Sequence, residues 1–208
     1  TYQMKLPKTK MEDLINRDFY DFEVEQLLQY FQEKDWFAYT LFYSLVSTGM
    51  RINELATAKW SNLRFEPSVN HYFLTVTGKG NKLRDVIIFQ DVLEVVLENR
   101  RRKLLSLKIG DVDGTAFFPK ANGGFYNTTY LSNEFTKLVN AAPFDFIQNR
   151  IKKEKESAEE GKNIRYRITP HTCRHYTAAF YMDKGIDSKA IQDMLGHSSI
   201  MTTERYLR

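Results

Sequence analysis

Apolar residues Val24, Leu27, Leu28 and Phe31 fall at i, i+3, i+4 and i+7, which predicts an amphipathic helix from about Asp21 to Lys34. Asp21 is its candidate N-cap. A second, more uniformly apolar helix should run from Trp36 to Ser47 and stop at Thr48-Gly49, and a short third one should cover Arg51 to Lys59. The period then falls to two and the composition turns β-rich. Residues 60–65, 72–77 and 85–89 read as three short strands, joined by turns at Pro67–Asn70 and Gly78–Lys82. Helical spacing returns at Leu93, Val96, Leu97, Leu104 and Leu107, and again at Leu131, Phe135, Leu138 and Ala142. Residues 150–163 are charged and poor in apolar side chains, as an exposed helical extension or a mobile insertion would be. Thr169 can cap a helix that has Pro170 in its first turn and ends near Gly185. Asp187 can cap another that ends at Gly196, and a last short helix would hold Thr202 to Tyr206. The pattern as a whole is α+β, mainly α-helical, with one small three-stranded antiparallel sheet.

Composition narrows this picture. With 208 residues, 42% apolar, including 15 Phe and 12 Tyr, the chain can build one substantial core. No apolar run approaches the roughly 20 residues of a membrane span, and the polar, basic residues 1–10 with no apolar stretch behind them lead us to expect no signal peptide. The single Cys173 excludes an internal disulfide framework and a cysteine-rich zinc site, which fits a cytoplasmic setting. A net charge of +4 permits a polyanionic partner without establishing one. The cations cluster at Arg100, Arg101, Arg102 and Lys103, and in residues 150–167, where seven Lys or Arg face four Glu. Both groups read most simply as solvated helix faces. The start at Thr1 leads us to expect a piece of a longer protein, with residues 1–17 as a linker or remnant and 18–208 as one domain.

Several polar residues stand where chemistry could be done. Arg51 follows a Thr-Gly turn and opens a helix. His171 and Arg174 lie three apart in the first turns of the helix capped by Thr169, so they share a face. A helix N-terminus beside a guanidinium suits a phosphate. The Gly78-Lys79-Gly80-Asn81-Lys82 turn lacks the spacing of a nucleotide-binding phosphate loop and is followed by a strand, so we expect no bound nucleotide. It is either a glycine-rich hairpin or an arm that carries Lys79 into a site built elsewhere. His197 follows the helix-ending Gly196, and Tyr206 is one tyrosine among many. Singly, each has an ordinary structural explanation.

Their order is more telling. Arg51, Lys79, His171-x-x-Arg174, Gly196-His197 and Tyr206 together resemble the tyrosine recombinase, or phage integrase, family. The stretch Thr48-Gly49-Met50-Arg51-Ile52-Asn53-Glu54-Leu55 is similar to its first arginine box, and Gly78 to Arg84 to its lysine-bearing hairpin. Thr169-Pro170-His171-Thr172-Cys173-Arg174-His175 is similar to the second box, although Cys173 stands where the family usually has Leu. Leu195-Gly196-His197-Ser198-Ser199, with Tyr206 nine residues beyond His197, is similar to the third. The stretch from Ala142 to Tyr166 is longer than in compact members and matches no motif.

The resemblance implies the family's DNA breaking-rejoining catalytic fold and a DNA strand transferase, the integrase of a bacterial or phage mobile element. Arg51 and Arg174 would clamp the phosphate and His171 would act as base. Lys79 would protonate the leaving 5′-oxygen, and His197 would bind a phosphate oxygen or orient the nucleophile, Tyr206. The product would be a 3′-phosphotyrosyl enzyme. No cofactor and no metal are expected, because the arginines and the lysine supply the positive charge and the sequence shows no carboxylate cluster. Glu54 would pair with a basic neighbour or support Arg51. The expected partners are double-stranded DNA and, in the full-length protein, a tetrameric synapse; this chain alone, without the family's N-terminal DNA-binding domain, could be monomeric. With only Leu207 and Arg208 beyond it, Tyr206 is expected to be mobile until DNA binds. A type IB topoisomerase and a non-catalytic DNA-binding relative are the alternatives.

Overall fold

In the computed structural model, residues 18–162 and 164–196 are described, with Lys79 described through its backbone only. The helix at the centre is α2 (Trp36–Thr48), whose Ala38, Leu41, Phe42 and Leu45 are buried. Because α2 is apolar nearly all round, it can be covered on every side. The helices α1 (Asp21–Lys34), α4 (Gln90–Arg101), α5 (Thr128–Asn140) and α7 (Pro170–Asp183) pack on it. Asp35 caps α2 by accepting hydrogen bonds from the Phe37 and Ala38 amides. Gly49, at φ 61°, ends it in the left-handed geometry that a side chain resists. The short α3 (Ile52–Thr57) follows at once.

The sheet is antiparallel in the order β1 (Leu63–Glu66), β2 (His71–Thr77), β3 (Leu83–Ile88). Its alternation buries Leu63, Leu74, Val76, Val86 and Ile88, and leaves Arg64, Thr75 and Asp85 as a polar ladder on the outer face. The two remaining helices are α6 (Asp145–Glu159) and α8 (Ser188–Leu195). The architecture is the mainly helical α+β arrangement read from the sequence. Among the described residues no helix is long and apolar enough to cross a membrane.

Local details differ from expectation, each for a physical reason. The predicted strand at residues 60–65 begins with a 3-10 turn, Trp60–Asn62, because the Trp60 indole turns inward and donates to the Lys108 carbonyl at 2.8 Å. The third helix stops at Thr57, and Lys59 instead bridges to Ala116. Leu104 and Leu107 do not continue α4: the chain leaves the helix at Arg102, and Leu104 sits at φ 57° and is 95% exposed. The cap of α1 is Tyr20, whose amide donates to Glu23 at 3.0 Å, rather than Asp21.

Two charged stretches are less solvated than the pattern implied. Arg100 is fully buried, stacked 4.0 Å from the Trp60 ring and bonded to the Ser106 and Ala116 carbonyls, Asp113 and Thr115. Residues 150–163 belong largely to α6, which is docked. Its Ile147, Arg150 and Ser157 are buried, and Arg150 pairs with Glu23 at 2.9 Å.

Candidate active site

Two boxes that are 120 residues apart in sequence meet at one cleft. It has a volume of about 400 Å3 and is lined by Arg51, Asn53, Ser132, Thr169, His171 and Arg174, among others. Arg51 is the N-cap of α3, placed by the Gly49 turn and by its own amide, which donates to Glu54 at 2.8 Å. This is the reciprocal half of a capping box, with the glutamate three residues into the helix. Thr169 and Thr172 make a similar contact at the start of α7, where the Thr169 amide donates to the Thr172 hydroxyl at 3.1 Å. The first turn of α7 then aims His171 and Arg174 at the same side.

The insertion without a motif has a part in this placement. Glu154 of α6 accepts from the Tyr166 and Arg167 amides, each at 3.0 Å, and Ser157 accepts from Ile164 at 3.0 Å. From α5 the Asn140 side chain donates to the Ile168 carbonyl at 2.8 Å and accepts from its amide at 3.1 Å. The segment leading into Thr169 is thus fastened by side chains along its length, in place of sheet hydrogen bonds.

Arg174 is buried and donates to the Gly49 carbonyl at 2.7 Å and to the Leu195 carbonyl. Arg51 donates to Glu54 at 2.8 Å and to the Gly196 carbonyl at 3.1 Å. Arg84 of β3 donates to the Met194 carbonyl at 2.5 Å, and to Glu54 from Nη2 at 2.7 Å and from Nε at 3.2 Å. The last three carbonyls of the α8 end, on Met194, Leu195 and Gly196, therefore each receive a different arginine. A helix C-terminus presents orphan carbonyls and partial negative charge, so cations are favoured there.

Glu54 is 1% exposed and joins two of these arginines. Burial works to raise its carboxyl, but hydrogen bonds and charge from Arg84, with the amide and guanidinium of Arg51, outweigh burial and hold it below the usual carboxylate range. The sequence reading that Glu54 pairs with a basic neighbour or supports Arg51 holds in both parts. His171 stands exposed at the mouth of the cleft, its ring 4.7 Å from that of His175. Crowding by the protein, then the charges of His175, Arg174 and Arg51, lower its pKa and favour the neutral imidazole. Burial pushes the Cys173 thiol well up, leaving it a small apolar filler, as its place in the motif suggested.

Of the sequence candidates, Arg51, His171 and Arg174 are brought together. The backbone of Lys79 opens the 3-10 turn Lys79–Asn81 between β2 and β3, as the hairpin reading required. His197 and Tyr206, and with them the mobility expected of Tyr206, lie outside the described residues. No role was read for Arg84. Its period-two spacing with Val86 and Ile88, which marks all three for the inner face of β3, was the available signal. Among the described residues no group of three or more His, Cys, Asp or Glu is placed to hold a metal ion.

The tyrosine recombinase XerA of Pyrococcus furiosus is 28% identical over 214 residues, covering 98% of this chain and 59% of that protein. The tyrosine recombinase XerD of Staphylococcus saprophyticus is 32% identical over 171 residues, covering 80% of this chain and 48% of that protein. The chain thus spans about half to three-fifths of the length of these curated relatives. The fold is similar to that of the XerH site-specific recombinase bound to its palindromic difH substrate in a post-cleavage complex. The TM-score is 0.65 at 22% identity, covering 91% of this chain and 48% of that one. The model of the phage integrase family matches residues 17–208, and by that match, which takes in every box meeting at the cleft, the chain belongs to the phage integrase family of tyrosine recombinases.

Proposed function

We propose that this protein carries out site-specific recombination of double-stranded DNA, as the integrase of a mobile element, through a covalent bond to Tyr206. The observation that carries this reading is the convergence of Arg51, Arg174 and a neutral-leaning His171 on one cleft, with two of them also holding the end of α8. Phosphodiester attack builds charge on the non-bridging oxygens, and two planar, permanently charged guanidinium groups match that charge. His171, favoured in its neutral form, accepts the phenolic proton as the tyrosine oxygen attacks phosphorus. The phosphorus–5′-oxygen bond breaks, and Lys79 gives that oxygen a proton. The tyrosine is left joined to the 3′-phosphate, with His197 holding a phosphate oxygen or the tyrosine itself. A new 5′-hydroxyl reverses the sequence without ATP, because a phosphodiester is exchanged for a phosphodiester.

A second, wider cleft of about 790 Å3 adjoins the first, sharing Ser132 and Thr169, and carries Lys137, Lys155, Arg165 and Arg167. Lys137 and Arg167 have acidic partners, Glu134 at 3.4 Å and Glu154 at 2.9 Å, whereas Lys155 and Arg165 are exposed and make no ion pair among the described residues. The duplex would run from the scissile phosphate across this cleft. Four such enzymes on two sites would form the synapse.

The test is a duplex nicked beside the cleavage position, so that the departing strand diffuses away and the adduct accumulates. Wild-type protein should give a detergent-stable adduct and Tyr206→Phe none, with DNA binding retained. Binding without an adduct in wild type would sink the proposal. Relaxation of supercoils with no rearrangement between two sites would point to a topoisomerase instead.

A further inference from the structure

We propose that Arg84 is a positioning residue for strand cleavage: it fixes Arg51 through Glu54, and it fixes the exit of the chain from α8 toward His197 and Tyr206. The inference rests on the proposed chemistry and concerns a residue that this chemistry does not touch.

Arg84 is the second residue of β3, opposite Val76 and just beyond the hairpin that carries Lys79. Its side chain is 11% exposed, and its guanidinium is divided between two acceptors. Nε and Nη2 grip the Glu54 carboxylate, and Nη1 holds the Met194 carbonyl. Glu54 in turn holds both the amide and the guanidinium of Arg51. One planar fork thus ties together β3, the start of α3 and the end of α8.

The backbone is shaped to admit this fork. Gly196 is at φ 66°, and a Cβ there would stand 2.6 Å from Arg84 Cδ and 3.1 Å from Nε. Gly78, at the base of the hairpin, is less constrained: a Cβ there would meet Glu54 Oε1 at 3.5 Å and the Lys82 carbonyl at 3.4 Å, which is ordinary contact. The glycine of the Gly196-His197 pair therefore does two things. It ends the helix, and it makes room for the arginine that holds the end in place.

Lysine cannot reproduce this connection. Its single ammonium can meet Glu54 or the Met194 carbonyl, but it cannot span both in a fixed plane. A misplacement of about 1 Å in a reacting constellation costs on the order of 100-fold in rate. Arg84 does not line the cleft with Arg51 and Arg174, so its loss should slow the chemistry while leaving DNA affinity nearly unchanged.

The experiment compares wild type, Arg84→Lys and Arg84→Met in the intact protein. It measures single-turnover adduct formation on the nicked duplex at saturating DNA, recording both the rate constant and the final amplitude. DNA affinity is measured in parallel. We expect the rate constant to fall about 100-fold in Arg84→Met and at least about 10-fold in Arg84→Lys, with amplitude largely kept and DNA affinity within about 3-fold. A role in folding alone would lower the amplitude, because fewer molecules are competent, while the survivors react at the wild-type rate; that result overturns the proposal. Wild-type rate constants in both variants overturn it equally. If wild type itself binds DNA but forms no adduct, the proposed function falls and this inference with it, an outcome recognised from the wild-type arm alone.

Discussion

Glu54 offers the sharpest test of how the site is held. The carboxylate is 1% exposed and accepts four hydrogen bonds, two from Arg51 and two from Arg84. Glu54→Ala leaves the Arg84 guanidinium, 11% exposed, facing Arg51 with no anion between them. Removing one partner of a buried pair costs about 3–5 kcal/mol, mostly because the remaining charge is stranded. Arg51 is 31% exposed and can turn to water, so the lower half of that range is expected. In a domain of this size it corresponds to a fall in melting temperature of roughly 6–15 °C.

Glu54→Gln keeps the shape but loses the charge, and turns an amide donor toward guanidinium donors. It should cost about 2–3 kcal/mol at neutral pH. The pH dependence has a definite sign. The folded carboxyl lies below its unfolded value, so on acidification the unfolded chain takes up the proton first. The stabilisation is present above the unfolded value of about 4.3, and it drains away as pH falls through the folded one. The difference in urea-unfolding free energy between wild type and Glu54→Gln should therefore be largest at neutral pH and shrink on acidification. A difference that is flat with pH, or Glu54→Gln within about 0.5 kcal/mol of wild type at neutral pH, would refute the reasoning.

Gly49→Ala should destabilise for two separable reasons. The left-handed φ of 61° costs a side chain about 1–2 kcal/mol, and the new Cβ would stand 2.5 Å from Leu195 Cδ2, adding an overpacking cost of about 1–3 kcal/mol. Urea unfolding should show a loss of roughly 2–5 kcal/mol in total; a neutral outcome would mean that the turn and the α8 contact relax freely. Replacing both Lys155 and Arg165 by Ala should reduce the slope of log affinity against log salt by about 2, one counterion per lost phosphate contact. An unchanged slope in a salt titration of DNA binding would remove the second cleft from the DNA path.

Much of this molecule was legible in its sequence, for a local reason. Periodicity, caps and turn glycines act over a few residues, so α1, α2, α5, α7, α8 and the three strands follow from pattern, with ends displaced by a few positions. The ordered boxes around Arg51, Lys79, His171, Arg174, His197 and Tyr206 carried the family in the same way, since each box is a short run of neighbours. What the pattern misjudged was charge. Arg100 reads as one cation in a run of four, and only the approach of Trp60, Asp113 and Thr115 gives it the stacking and acceptors that allow full burial. The α6 stretch reads as solvated until Glu154 and Ser157 are seen holding the backbone that leads to Thr169. Arg84 likewise gains its partners from Glu54, 30 residues away, and Met194, 110 residues away. A helix's period belongs to its own backbone, whereas the burial of a charge depends on which acceptors the rest of the chain brings to it. The tertiary structure alone decided that the end of α8 is held by three arginines from three different elements.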